Sequence, residues 1–460
     1  MSDDMDNIIA LAAHQQAQHN QILITEDSVA LEFAERYRGG LLFDHDMGRW
    51  FRWTGTYWQP EGTKLAFDLA RTLARELTEN EEAKVKALAG KTSFASGVER
   101  SSQAARPFAV TSQDWDTDLF LLGTPGGTVE LRTGKLRNAD PGDRITKITS
   151  VAPADVATCP RWLAFLDEST GGDTDTIRFL QQFAGYCLTG STTEHALAFA
   201  YGPGGNGKTV FLNTIAAVMG NYATIAPMDT FTASQHDRHP TDLAMLRGAR
   251  LVGAAETEDD RQWAEARIKQ LTGGDRITAR FMRRDFFTYR PHFKLLFIGN
   301  HRPNLRNVDD AARRRFNMVP FTRTPASPDK NLETKLMDEG PGILRWSIDG
   351  CLDWQANGLV RSATVMDATK DYFDSQDLFG QWLDEECDAE PGNEFKTATA
   401  ADLFESWSKF AKNAGEAAGT GKAFGGRLAK KFIRGREGHS NVRVWKGIRL
   451  KRLAPNSAGD

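Results

Sequence analysis

The octapeptide Gly202-Pro203-Gly204-Gly205-Asn206-Gly207-Lys208-Thr209 carries the residue types of a phosphate cradle. Glycines let backbone N–H groups turn inward on an anion. From Val210 onward the apolar residues have helical spacing, so a helix would add its positive end to the same site. Lys208 is then expected to reach the β- and γ-phosphates of ATP, and the Thr209 hydroxyl to bind Mg²⁺. Before the turn, the apolar run Leu197 to Tyr201 reads as the buried strand from which such a turn departs.

Triphosphate chemistry also needs a carboxylate for Mg²⁺ and for polarising the attacking water, normally at the end of a neighbouring strand. The apolar run from Leu251 ends in Glu256, with Glu258 one residue beyond Thr257. Glu256 is the expected acid and Glu258 the second candidate. Another apolar run, Leu295 to Gly299, ends in Asn300, whose amide can hydrogen-bond a γ-phosphate and a water without adding charge. Arg313, Arg314 and Arg315 precede a further strand pattern. Clustered arginines are usually a solvated face, but one supplied to a neighbouring subunit's ATP raises the rate by about 10³- to 10⁵-fold.

These residues need a scaffold. Short apolar runs alternating with helical segments predict a parallel sheet covered on both faces, hence an α/β core. That core is assigned to residues 153–350 together with its preceding helices. Residues 1–20 read as a flexible terminus and 21–152 as an α+β unit in which Trp50, Trp53, Tyr57 and Trp58 form a small core around a hairpin. Two short strands with glycine turns follow near 119–136. Residues 351–376 read as a helical linker. Across an acidic Pro/Gly break at 388–397, the region 377–455 combines two helices with a basic hairpin, a winged-helix-like pattern.

The net formal charge of −4 excludes little, because its distribution decides. Between Lys422 and Arg452 the single acid is Glu437, and Lys430 and Lys431 sit at the end of the second helix, where DNA contact is expected. The four cysteines are scattered without zinc-site spacing, which suits a reducing cytoplasm. No apolar stretch approaches the roughly 20 residues of a membrane span, so a soluble, cytoplasmic protein is expected.

In order and spacing, GPGGNGKT, LVGAAETEDD, KLLFIGNHRP and DDAARRRFNMVPF resemble the superfamily 3 helicases. Within them the chain is similar to the helicase half of phage and plasmid primase-helicases, related to the poxvirus helicase-primase. The upstream FLLGTPGGTVELRTGKLRNADPGDRITKIT is similar to the domain that precedes such motors, so the resemblance covers about residues 25 to 345. It implies a P-loop, AAA+-like core with Lys208 and Thr209 on phosphate and Mg²⁺, Glu256 as the acid and Asn300 as the sensor. Arg315, directly before Phe316, matches the arginine finger, with Arg314 next to it. One departure stands out: many relatives have two consecutive acids where Thr257 here separates Glu256 from Glu258.

The resemblance further implies a hairpin that grips one DNA strand inside a ring. Arg280, Arg283, Arg284, Arg290 and Lys294 lie there among Phe281, Phe286, Phe287 and Tyr289. Basic groups track phosphates. The aromatics are expected to be mostly structural, with Arg283 and Arg284 touching DNA. Asp44-His45-Asp46 and Asp114 to Asp118 flank turns and make no recognisable priming centre, so a separate primase or polymerase is the expected partner. The combined expectation is a hexameric, ATP-driven helicase on single-stranded and forked DNA, in the replication of a phage, plasmid or other mobile element. The alternatives are a DNA-binding initiator or regulatory ATPase without unwinding, and a nucleotide-switched scaffold.

Overall fold

The computed structural model describes residues 23–233, 241–256, 262–282, 285–305, 310–325, 327–414, 417–437 and 442–451. Thr25 and Ser28 form a reciprocal cap that starts α1 (Glu26–Arg36). Next come β1 (Leu41–Asp44), β2 (Arg49–Trp53), β3 (Trp58–Pro60), α2 (Leu65–Leu77), α3 (Ala83–Ala89), α4 (Thr92–Gln103) and β4 (Ala109–Val110). The four strands pair in the order β3-β2-β1-β4. Val29 and Phe33 of α1, Leu73 of α2 and Phe94 of α4 close over Phe43 and Trp50. Trp58 is also buried, its indole N–H donating to Pro141 O at 2.9 Å, so Trp50 and Trp58 are core as expected, whereas Trp53 and Tyr57 are only half-buried.

The glycine-turn region holds three strands where the sequence indicated two: β5 (Leu121–Thr124), β6 (Gly127–Glu130) and β7 (Lys135–Arg137). All three β7 residues are exposed, so the strand has no apolar alternation by which to recognise it. The nearby acids hold turns. Asp44 is buried and accepts from the Trp115 indole at 2.8 Å, Asp116 accepts from Thr146 N, and Asp118 pairs with Arg132.

The central layer runs α5 (Pro160–Thr170), α6 (Thr174–Leu188), β8 (Leu197–Tyr201), α7 (Lys208–Met219), β9 (Ala223–Ile225), α8 (Thr241–Ala244) and β10 (Leu251–Glu256). It continues through α9 (Glu265–Gly273), β11 (Ile277–Ala279), β12 (Phe287–Tyr289), β13 (Lys294–Gly299), α10 (Asp310–Arg313), β14 (Phe316–Pro320), α11 (Leu332–Met337), α12 (Gly340–Asn357) and α13 (Ala363–Gln376). Five strands form a parallel sheet in the order β14-β8-β13-β10-β9. Successive side chains point to opposite faces, and both faces are covered. Ala198, Ala200, Leu296 and Ile298 meet Phe183, Phe211 and Ile348 on one side, while Phe199, Val252, Phe297 and Met318 meet Trp263 and Tyr372 on the other. Helices α6 and α12 approach to backbone contact, because a Cβ on Gly185 would lie 2.1 Å from Cys351 N.

The remaining elements are α14 (Leu378–Glu386), β15 (Cys387–Ala389), β16 (Thr397–Thr399), α15 (Ala400–Asn413), α16 (Gly421–Leu428), β17 (Ile433–Glu437), β18 (Val442–Lys446) and β19 (Ile448–Leu450). Strands pair as β16-β18-β17 and β15-β19 around Trp382, Trp407, Phe424 and Trp445. The acidic stretch that reads as a break thus contributes two strands to this unit. Its acids also neutralise part of the basic excess: Asp388 pairs with Lys396 and Arg449, and Glu394 with Lys446. All four cysteines are buried free thiols, and burial pushes those of Cys187, Cys351 and Cys387 up to about 12. No helix among the described residues is long and apolar enough to cross a membrane.

Two cations are buried at the amino-terminal edge of the parallel sheet. Arg250, just before β10, donates to Leu188 O at 2.5 Å and Leu121 O at 2.8 Å and lies over the Tyr222 ring. Lys294, grouped by sequence with the DNA-gripping hairpin, is instead the first residue of β13 and 1% exposed. Its ammonium donates to Thr189 O, Ser191 O and His292 O and faces the Tyr186 ring. The expectation fails because the strand begins at Lys294, which turns its side chain into the interior. Burial pushes its pKa down to about 7, whereas an unfolded lysine titrates near 10.5. Between those values the unfolded chain holds the extra proton, so this site's contribution to stability rises with pH, by up to about 1.4 kcal/mol per unit. Raising the pH from 7 to 9 is therefore expected to stabilise the wild-type protein relative to Lys294→Met in denaturant titrations.

Candidate nucleotide and nucleic-acid site

Strand β8 ends at Tyr201 and α7 begins at Lys208, and the residues between them make a turn that only glycine can complete. Gly202, Gly205 and Gly207 have φ of +149°, +77° and +89°. Gly202 has a second requirement, since a Cβ there would lie 1.9 Å from Phe321 O. Asn206 is buried, and its side-chain amide N–H donates to that same carbonyl. This fastens the turn to the segment that leaves β14. Under the turn, Gly207 packs against Phe165 and Ser169 of α5.

Lys208 is 6% exposed. Its ammonium donates to Gly202 O at 2.7 Å, Pro203 O at 2.8 Å and Asn206 Oδ1 at 2.8 Å. All three acceptors are neutral, and burial lowers the lysine's pKa from its ordinary value. A partly desolvated cation without a counter-ion attracts an anion strongly. Pro203, Gly204, Gly205 and Thr209 are exposed around it, and a Cβ on Gly204 or Gly205 would meet nothing within 4 Å. Val210 is half-buried against the core, so it anchors the helix.

Backbone register aligns the other predicted residues with this turn. Tyr201 pairs with Gly299, and Gly299 with Glu256, so three strands end in one row. Asn300, exposed, directly follows the middle strand. Glu256 ends a strand two positions from β8, not the neighbouring one that the sequence reading assumed, because β13 lies between them. The two ends are therefore about 10 Å apart at the usual strand spacing. Glu258 and Thr257 lie outside the described residues.

Arg314 and Arg315 stand at the opposite edge. Leu197 N, at the start of β8, donates to Arg315 O, so a strand's length of about 13 Å separates Arg315 from the turn of its own chain. Arg315 is half-buried, with Nη1 donating to Ala311 O at 2.7 Å and Nε to the Thr272 hydroxyl at 3.2 Å. Arg314 is exposed. Arg313 pairs with Asp374 and lies over Phe373.

The hairpin β11–β12 presents Phe281, Met282 and Phe286 to solvent, with the Arg280 guanidinium 4.8 Å from the Phe286 ring. Of the aromatics expected to be mainly structural, Phe287 lies under Arg247 and Tyr289 donates to Leu243 O, as expected. Phe281 and Phe286 depart from that expectation, since paired strands of three residues cannot enclose them. Arg283 and Arg284 lie outside the described residues. Lys430 and Lys431 are exposed in the turn after α16, whereas Arg427 is spent over Phe379 and Trp407 and Arg434 over Trp445. Sequence reasoning missed the Phe321 carbonyl that holds Asn206, and no local signal would reveal a main-chain acceptor from another strand.

Known proteins resemble parts of this chain. Residues 30–171 match the family described as D5 N terminal like, and residues 200–315 match a family of unknown function, DUF5906. The chain is 23% identical over 295 residues to "Putative helicase L207/L206" of Acanthamoeba polyphaga mimivirus, covering 58% of this chain and 30% of that protein. It is 26% identical over 258 residues to "Putative helicase 022R" of Frog virus 3 (isolate Goorha), covering 51% and 26% respectively. It thus spans under a third of the length of these relatives. The apo structure of the NrS-1 C terminal region shares the fold at 9% identity, with a TM-score of 0.53 over 93% of this chain and all of that one. By two family matches, the viral relatives and the shared fold, this chain is similar to viral putative helicases.

Proposed function

We propose that the chain is an ATP-dependent DNA helicase of superfamily 3, with residues 153–350 as a P-loop, AAA+-like motor acting in replication. The observation that carries this reading is Lys208: a buried ammonium, held only by neutral oxygens, at the mouth of a glycine turn on the carboxyl edge of a parallel sheet. In binding ATP it exchanges those oxygens for phosphate oxygens, while the N–H groups of the turn and of α7 face the same anion. Mg²⁺, when bound with ATP, offsets charge on the β- and γ-phosphates, and Thr209 with Glu256 would hold it. Asn300 orients the attacking water, and Glu256 or Glu258 polarises it. Arg315 or Arg314, too far from its own turn, serves the ATP of an adjacent subunit, which requires a ring such as a hexamer.

For DNA, the hairpin carrying Arg280, Arg283 and Arg284 is proposed to follow a single strand, with the solvent-exposed Phe281 and Phe286 stacking on bases. The succession α14, β16, α15, α16, β17, β18 supports a winged-helix-like unit at 377–455, with Lys430 and Lys431 on phosphates.

Strand displacement on forked DNA with ATP tests the whole reading, and its absence in an assembled ring that hydrolyses ATP would favour an initiator or regulatory ATPase. At the turn, Gly202→Ala is expected to weaken ADP binding by at least about tenfold, while Gly204→Ala, which meets open space, stays within about twofold. Arg315→Ala is expected to lower ATP turnover by about 10³-fold with ADP affinity retained. Full turnover in both Arg314→Ala and Arg315→Ala would sink the inter-subunit mechanism.

A further inference from the structure

Two segments converge beside the phosphate turn. Phe321 O takes the Asn206 amide, so the chain leaving β14 runs along one flank. Gly207 rests on Phe165 and Ser169, so the last turns of α5 run beneath. Helix α5 then ends in Gly171 and Gly172, both exposed and both with positive φ, +68° and +78°. Arg323, two residues beyond Phe321, closes the notch: a Cβ on Gly171 would lie 3.0 Å from Arg323 Nε and 3.6 Å from its Nη2. The Nε end of the Arg323 side chain therefore passes close against a residue without a side chain. Arg323 is exposed and pairs with no carboxylate among the described residues.

We propose that Arg323 is a nucleotide-positioning residue that stacks on the base of a purine nucleotide whose phosphates occupy the adjoining turn. This rests on the phosphate-cradle reading and adds the subsite for the nucleoside end. Lys208 and the turn already supply cationic and N–H partners for phosphates, and the notch lies to their side, floored by glycine. A planar, weakly hydrated cation on a side-chain-free floor suits an aromatic ring, and lysine at the same place would keep the charge without the plane.

The test compares a fluorescent ADP analogue, competed by ADP and separately by inorganic tripolyphosphate, on the wild-type chain, Arg323→Ala, Arg323→Lys and Lys208→Ala. Loss of about tenfold in ADP affinity is expected in both Arg323 variants, with tripolyphosphate affinity unchanged. Lys208→Ala is expected to lose both ligands. Unchanged ADP affinity in Arg323→Ala, full rescue by Arg323→Lys, or an equal loss of tripolyphosphate would overturn base stacking while leaving the cradle intact. Failure of the wild-type chain to bind either ligand would instead overturn the cradle itself.

Discussion

Parallel pairing without a bulge from β8 through β13 to β10 is the constraint on which the candidate site depends. Tyr201, Gly299 and Glu256 stand in one row, so the turn, Asn300 and the acidic strand end emerge together at one edge. A slip of one residue would send each strand's side chains to the opposite face, exchanging the two cores and rotating the exits. The hydrophobic filling on both sides therefore holds the site as firmly as any polar bond in it. Phe211 shows the link: it belongs to the helix that Lys208 begins, stacks on Trp162 of α5, and touches Phe321, whose carbonyl fastens Asn206.

Three buried cations share one solution and differ in what it permits. Among the described residues, Lys208, Arg250 and Lys294 all rest on neutral oxygens with no carboxylate partner. Carbonyl dipoles recover part of the lost hydration without the geometric demands of a buried ion pair. Arg250 faces the Tyr222 ring and Lys294 the Tyr186 ring as well, so both groups serve only the architecture. Lys208 differs because its surroundings open to solvent at Pro203, Gly204 and Gly205. Burial alone does not separate a structural cation from a ligand-binding one; an open side does.

Features with local causes were legible in the sequence. Glycine spacing announced the turn, apolar runs announced β8, β10 and β13, and the residue after each run announced the edge. What depended on distant partners was hidden. Insertion of β13 between β8 and β10 follows from non-local pairing, which the order of motifs along the chain does not encode. Lys294 looked like a hairpin cation because it follows Arg290 closely, yet the strand starts on it. Asp388 and Glu394 seemed to belong to a linker, while strand pairing with β18 and β19 carries them to Lys446 and Arg449. Phe281 and Phe286 had the composition of core residues, but a short hairpin offers no interior.

Arg250 has a mechanical meaning. One guanidinium touches the carbonyl of Leu121 in β5 and that of Leu188 at the end of α6, while its own backbone leads into the strand that ends at Glu256. Gly123 N is bonded to Tyr222 Oη, and Arg250 N to Tyr222 O, doubling the connection. The β5-β6-β7 sheet is thus riveted to the base of the strand that carries the acid. It cannot swing as a loose arm, and any tilt of that strand is delivered to it as a rigid-body displacement, like a load passed through a bolted joint.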